Sequence, residues 1–255
     1  MEEIVEEVKV VEKPKMKHKF LKGIVIFLLV IGLIIVSLGF IFPGLIWTRS
    51  LGIKYSEADY VSILNKLNYI KDAVPTGESI DDYTYVYGAT SKVNVEFTSE
   101  EITAFFNEDR PRYYAVKNVQ IRINNDNTVE AVASVNVDYF LRELLNGEVT
   151  RSDIEKEIPA LGLVPDNLNL YIKFSGSVIN NKVTASIDSA TVQGIPVSSD
   201  YINSDEAIST VADGLNNMMA TYNEKTGSSF DSIKVEEGKV VFVGSVPTSL
   251  TRIEK

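Results

Sequence analysis

The side chains that most enzymes use for covalent chemistry are scarce in this sequence. Its 255 residues include no cysteine and one histidine, His18. Beyond residue 18 the chain therefore offers no Ser-His-Asp or Cys-His arrangement and no zinc site built from His or Cys. It also contains no Ser-x-x-Lys motif that could activate a serine differently. The residue types thus predict no nucleophilic catalysis.

Carboxylates remain as groups that could transfer protons. Adjacent acidic residues occur in three places, Asp81-Asp82, Glu100-Glu101 and Glu236-Glu237. Two carboxylates can hydrolyse a glycosidic bond when they flank it. Neighbours on a strand, however, point to opposite faces, and acidic residues at a helix start interact favourably with the helix dipole. We therefore predict that the chain is not an enzyme and has no metal site and no cofactor.

The charge of the chain is concentrated in its larger, C-terminal part. Residues 49–255 carry nineteen basic and thirty acidic side chains, a net charge of −11. Such a surface repels a phosphate polymer or an anionic lipid surface on average, so we expect no nucleic-acid partner. High net charge also favours solubility, and it names no partner by itself.

An uncharged segment near the N-terminus predicts a membrane anchor. Residues 23–47 contain no charged side chain, and as a helix they would be roughly 37 Å long, enough to span a bilayer with some tilt. A cleaved signal peptide is the alternative, but its apolar run is shorter and precedes an A-x-A site, which is missing here. We predict a retained transmembrane helix over residues 23–47.

Lysines flank the predicted span mainly on one side, at positions 15, 17, 19 and 22. The positive-inside rule then places the N-terminus in the cytoplasm. The expected organisation is a charged cytoplasmic tail over residues 1–22, the span over 23–47 and an extracytoplasmic domain over 48–255. The protein would be a single-pass protein of the cell membrane.

Alternating apolar residues predict strands that pair as antiparallel hairpins. Polar and glycine-containing segments separate the strands, as expected for tight turns. The predicted hairpins cover residues 83–97 with a turn at 88–91, 119–137 with a turn at 124–127, 168–187 with a turn at Asn180-Asn181, and 233–243 with a turn at 236–238.

Three segments have the signals of helices instead. Ser56 is a predicted N-cap, and Thr98 with Glu101 forms a predicted capping box ahead of a short helix. Over residues 204–222, apolar side chains recur at intervals of three and four, which predicts one long amphipathic helix. With the hairpins, these segments predict a single α+β domain with a mostly antiparallel sheet.

The apolar faces of these strands must be covered, and the long helix is the expected cover. Small residues on the strands would let the helix approach closely, or they would leave room for an acyl chain. Methionines on the helix would adapt to an irregular ligand. The candidate ligand-binding groove is formed by Ala131, Ala133, Ala185, Leu215, Met218 and Met219.

A second candidate surface is aromatic. Tyr83, Tyr85 and Tyr87 lie on one face of a predicted strand, where they could stack on sugars or lie at a membrane interface. Ordinary cross-strand packing is the alternative interpretation. An interaction scaffold for other envelope proteins would use such an exposed face.

Three stretches resemble the YpmS-like group, N-terminally anchored envelope proteins of Gram-positive bacteria. They are VEFTSEEI at 95–102, VQGIPV at 192–197 and VEEGKVVFVG at 235–244. That group is similar in outline to tubular lipid-binding domains, in which a curved sheet wraps a long helix and holds lipid. The resemblance implies a curved sheet packed on the long helix, no catalytic residues, and membrane lipid or other envelope proteins as partners.

Overall fold

The computed structural model describes residues 49–72, 83–108, 116–139 and 165–254. These residues form an α+β fold with a mostly antiparallel main sheet, as the sequence predicts. The helices are α1 (Glu57–Lys66), α2 (Ser99–Glu108), α3 (Ser199–Ile202) and α4 (Asp205–Thr226). The strands are β1 (Ile70–Lys71), β2 (Tyr83–Tyr87), β3 (Thr90–Phe97), β4 (Val116–Ile123), β5 (Val129–Asn136), β6 (Asn167–Ile179), β7 (Lys182–Val192), β8 (Ile195–Pro196), β9 (Ser229–Glu236), β10 (Lys239–Pro247) and β11 (Ser249–Glu254).

Strand β6 joins the two halves of the main sheet. Its first eight residues, Asn167 to Phe174, pair with β5, and Val178 and Ile179 pair with β9. Strand β7 pairs along the other side of β6 and carries the short β8. Strands β5 and β9 thus pair with successive parts of β6. The sheet therefore runs in the order β3-β10-β9-β6-β5-β4.

Three predicted hairpins are confirmed, and each turn uses residues in the left-handed backbone region. Asn180 and Asn181 have φ of 51° and 61° between β6 and β7, and Asn127 has φ of 64° between β4 and β5. Glu237 and Gly238 have φ of 49° and 74° between β9 and β10. Positive φ at both central residues gives a turn whose twist matches that of paired strands.

The predicted hairpin between residues 83–87 and 93–97 is wrong. Strand β2 pairs with β11, whereas β3 pairs with β10, so the two strands lie in different sheets. Residues 88–91 contain no positive φ, and a two-residue reversal needs one. The chain instead runs on past Gly88, whose N–H donates to the Ser249 carbonyl at 2.9 Å. Strands β1, β11 and β2 form a separate small sheet.

The core beneath the first half of the main sheet is apolar and involves α1 and α2. Its buried members are Ile63 of α1, Val93 and Phe97 of β3, and Phe242 and Val246 of β10. The rings of Phe230 and Phe242 lie 5.7 Å apart. Each buried side chain of this size contributes about 1.5–3 kcal/mol to the stability of the fold. Together they hold both helices on the sheet.

The predicted capping box at the start of α2 is confirmed. Thr98 N–H donates to the Glu101 carboxylate at 2.9 Å, and Glu101 N–H donates to Thr98 Oγ1 at 3.3 Å. Glu101 also accepts from Lys66 and Ser62 of α1 at 2.7 and 2.6 Å. One carboxylate therefore caps α2 and ties it to α1.

Helix α2 covers the edge strand β4 through polar side chains spaced four residues apart. Ser99 Oγ accepts from Ile123 N–H at 2.9 Å. Thr103 Oγ1 accepts from Ile121 N–H at 2.9 Å and donates to its carbonyl at 3.3 Å. Four helical residues rise about 6 Å, close to the 6.8 Å of two strand residues, so each side chain meets the next outward-facing peptide. The last position is taken by Asn107, which bonds Val119 N–H and C=O.

Helix α4 covers the free edge of β7 in a similar way. Asn216 Oδ1 accepts from Val183 N–H at 2.8 Å, and Asn223 donates to Asn181 Oδ1 at 3.0 Å. Exposed strand edges invite pairing with other chains, and a covering helix prevents it. This contact also fixes α4 beside the strand that carries Ala185.

Candidate functional site

The predicted apolar face extends across four strands of the main sheet. Cross-strand pairing aligns Ile121, Ala131, Ile172 and Ala190 in one row. None of the four is fully buried. Adjacent rows on this face pair Ala133 with Leu170 and Val192, and Val129 with Ile123, Phe174 and Ile187. We call this surface the apolar face.

Small residues make the apolar face uneven. Ala131 lies between two isoleucines, and Ala185 pairs with Gly176, so two residues with little or no side chain meet across β6 and β7. A Cβ on Gly176 would lie 2.6 Å from the Thr184 carbonyl oxygen. Only glycine fits this close approach of the two backbones. Strands β6 and β7 therefore approach each other closely beside Ala185.

The six predicted groove residues do not all share one environment. Ala131, Ala133 and Ala185 lie on the apolar face and are half-buried, as is Met219 on α4. Leu215 and Met218 are 39% and 68% exposed. Helix α4 packs chiefly on β7, so it lies beside Ala185. A shared groove of all six residues stays a prediction.

Helix α4 presents part of its apolar stripe to solvent. The exposed apolar side chains are spaced along one side of the helix, at Ile208, Leu215, Met218 and Tyr222. The side that meets β7 is instead marked by Asn216 and Asn223. This stripe and the apolar face lie on neighbouring elements of the fold.

A charged cluster that the sequence analysis missed lies on the opposite, polar face of the same strands. Glu130 of β5 is 8% exposed. Its carboxylate accepts from the Tyr171 hydroxyl at 2.8 Å and lies 3.3 Å from the guanidinium groups of both Arg49 and Arg122. Arg49 also stacks over the Tyr171 ring, 3.7 Å from its centroid. The carboxylate is thereby paired and hydrogen-bonded, as a buried charge requires.

Burial alone would raise the pKa of Glu130. The hydrogen bond from Tyr171 and the positive charges of Arg122 and Arg49 outweigh this effect and hold the pKa below its usual value. For Tyr171, burial and the hydrogen bond to Glu130 raise the pKa. Glu130 is therefore an anion at neutral pH, and it would be a poor proton donor.

The cluster fastens the segment that follows the predicted transmembrane span. Leu51 is 3% exposed and packs with Val132 and Tyr171. Its N–H donates to Gln120 Oε1 at 2.8 Å, and its carbonyl accepts from Arg122. Residues 49–53 therefore lie on the polar face of β4, β5 and β6 as a docked segment.

One sequence signal could have found part of this cluster. With the turn at 124–127, a symmetric hairpin places Arg122 opposite Val129, next to Glu130, and the structure shifts this register by one residue so that Arg122 pairs with Glu130. Opposite charges facing each other across strands attract. No local pattern points from either residue to Arg49, because that contact spans 81 positions.

The described acidic pairs lie at the start of α2 and at the β9–β10 turn. Glu101 caps α2, and Glu236 and Glu237 are exposed at the β9–β10 turn. Burial would raise the pKa of Glu101, but bonds from Lys66, Ser62 and Thr98 hold it below its usual value. Asp81 and Asp82 lie outside the described residues. Within the described ranges, no three His, Cys, Asp or Glu side chains are grouped as metal ligands.

The aromatic strand face is less open than an interaction surface requires. Tyr83 is buried, with the Arg252 guanidinium 4.5 Å from its ring centroid. Tyr85 is half-buried, and Tyr87 is 36% exposed. The other face of this small sheet is more open, with Ile70, Val86 and Ile253 exposed.

No helix in the described part of the chain is long and apolar enough to cross a membrane, and the predicted span at 23–47 lies outside that part. Searches with this chain for a matching protein-family model, curated protein or solved structure find no match. The resemblance to the YpmS-like group therefore stays an expectation.

Proposed function

We propose that this chain is a membrane-anchored, non-catalytic protein whose extracytoplasmic domain binds a lipid or another apolar ligand. The observation that carries the proposal is the apolar face. Its central row crosses four strands without a fully buried residue. The neighbouring rows include the buried Ile123, Val129 and Val192, and apolar residues of this kind are the usual lining of a site for an apolar ligand.

Two features make an acyl chain a suitable ligand for this face. Ala131, Ala133 and Ala185 give the apolar face small side chains without polar groups. The exposed stripe of α4 lies beside β7 and adds the flexible Met218, a side chain that adapts to irregular apolar shapes. A lipid could contact both surfaces.

The anchor gives this ligand a source. Residues 23–47 are proposed to span the membrane, and the docked segment at 49–53 would hold the domain close to the outer surface. Both the lysine distribution and the lack of charge over 23–47 support this placement.

Mass spectrometry of lipids that copurify with the full-length protein tests the proposal. Ala185→Phe places a large ring on the apolar face, whereas Thr184→Phe places the same ring on the other face of β7 and is the matched control. A lipid retained by wild type and the control but lost from Ala185→Phe supports the proposal. If no lipid copurifies or can be loaded, apolar-ligand binding is wrong.

A protein-interaction scaffold is the second candidate, and the small sheet favours it. Ile70 is 72% exposed, and Val86 and Ile253 are 47% and 50% exposed on the same face. Crosslinking in cells should then lose partners in Val86→Ser and keep them in Tyr85→Ser. Identical crosslinked partners in both variants would remove this face from consideration.

A further inference from the structure

An open pocket of about 230 Å³ lies on the polar face of the main sheet, beside the docked segment. Its strand residues Val132, Ser134, Asn169 and Tyr171 belong to the polar face. Ala133 and Leu170, which alternate with them, also border the pocket. Its polar lining includes Arg49, Ser50, Asn118, Ser134, Asn169 and Thr191. We call it the Arg49 pocket.

Two backbone irregularities shape the Arg49 pocket. The pairing of β4 with β5 shifts between Lys117 and Gln120, a bulge in which Asn118 has φ of 53°. On the other side, Gln193 and Gly194 have φ of 53° and 80° in the β7–β8 turn. Bulges re-aim side chains and are frequent beside functional sites.

The polar wall of the pocket is held in place. The buried Gln193 accepts from Asn169 Nδ2 at 3.0 Å and donates to the Asn167 carbonyl at 3.1 Å. Ser50 Oγ lies 3.2 Å from Gln120 Oε1. Fixed side chains of this kind need little reorganisation on binding.

The pocket also carries a local positive charge in an acidic domain. Two arginines share the single carboxylate of Glu130, which leaves one positive charge in excess. The Arg49 side chain is 51% exposed, while that of Glu130 is 11% exposed. Stacking on Tyr171 holds the guanidinium at the pocket wall. A fixed guanidinium among hydroxyl and amide groups suits a phosphate oxyanion.

The position of Arg49 in the chain indicates where that phosphate would come from. It follows Trp47, the end of the proposed span, by two residues, which reach at most about 7 Å. Because Leu51 is docked on the sheet, Arg49 is held beside the sheet as well. We propose that the Arg49 pocket binds the phosphate of a phospholipid headgroup in the outer leaflet; the choice of source rests on the proposed anchor.

This proposal is tested by measuring how strongly lipid ³¹P dephases the arginine ¹⁵N signals. The full-length protein is reconstituted in vesicles of phosphatidylcholine and phosphatidylglycerol. The Arg49 guanidinium should be dephased, and Arg252 on the small sheet is the internal control. Ser134→Leu fills the pocket without touching the charged cluster and should abolish the Arg49 effect. Undiminished dephasing in Ser134→Leu, or none in wild type, overturns the proposal.

A second arm separates the possible sources of phosphate. In a phosphorus-free detergent, inorganic phosphate is titrated against wild type and Arg49→Gln. Loss of one charge-assisted contact should weaken any binding by about tenfold or more. Binding here with no dephasing in vesicles would overturn the lipid source and assign the pocket to free phosphate. Lipid should still copurify with Ser134→Leu if it binds at the apolar face. Failure of the Arg49-pocket proposal can therefore be distinguished from failure of the apolar-face proposal.

Discussion

Replacement of Leu51 by alanine tests the docked segment most simply. Leu51 is 3% exposed and packs with Ile53, Val132 and Tyr171. Burial of a leucine side chain stabilises by about 1.5–3 kcal/mol, and the cavity left by alanine adds to the loss. Because the site borders an open pocket, we expect partial collapse and a loss of about 2–3 kcal/mol.

Leu215→Ala is the matched control, since it makes the same chemical change at a residue that is 39% exposed. It should cost about 1 kcal/mol or less, because less area is lost and alanine favours a helix. Urea unfolding of the full-length protein in detergent, followed by circular dichroism, gives both values. Hydrogen exchange over residues 49–53 should accelerate about tenfold or more in Leu51→Ala alone. Equal destabilisation by the two variants would refute the docking of this segment.

Three further predictions concern the helices and the topology. Thr103→Val keeps the shape of a fully buried side chain but leaves the backbone N–H and C=O of Ile121 without their side-chain partner. It should therefore cost about 2–3 kcal/mol of stability. Thr103→Ser should cost less, and the reverse order in urea unfolding would contradict the contact between α2 and β4. Since the pKa of Glu101 is lower in the folded state, its contribution to stability is present at neutral pH and is lost as pH falls below about 4.5. Glu101→Gln should flatten the acid side of the stability–pH curve, with Glu100→Gln as the control, and an unchanged curve would exclude this role. Protease added to intact protoplasts should digest the domain and spare the N-terminal tail; complete protection of the domain would reverse the proposed topology.

Local chemistry made much of the fold predictable. The asparagines at 180 and 181 favour the positive φ that the β6–β7 turn adopts. Thr98 and Glu101 satisfy each other's backbone N–H groups within one turn. In both cases the determining contacts lie within a few residues, so a single sequence contains them.

The parts that could not be predicted depend on distant partners. Alternation shows that Tyr83, Tyr85 and Tyr87 share a face, but burial of that face depends on β11, more than 150 residues away. The contact between Arg49 and Glu130 likewise joins residues that are far apart in the sequence. Local residue spacing does not show which distant strands and segments pair with each other.

Photo-crosslinking in cells is the most direct test of apolar-ligand binding. Cells that express the full-length protein are fed a photoreactive fatty acid, and mass spectrometry then locates the adducts. We predict adducts on apolar-face residues of β5, β6 and β7 and on α4, lost in Ala185→Phe and retained in Thr184→Phe. Adducts confined to residues 23–47, or equal in both variants, would contradict binding at the apolar face.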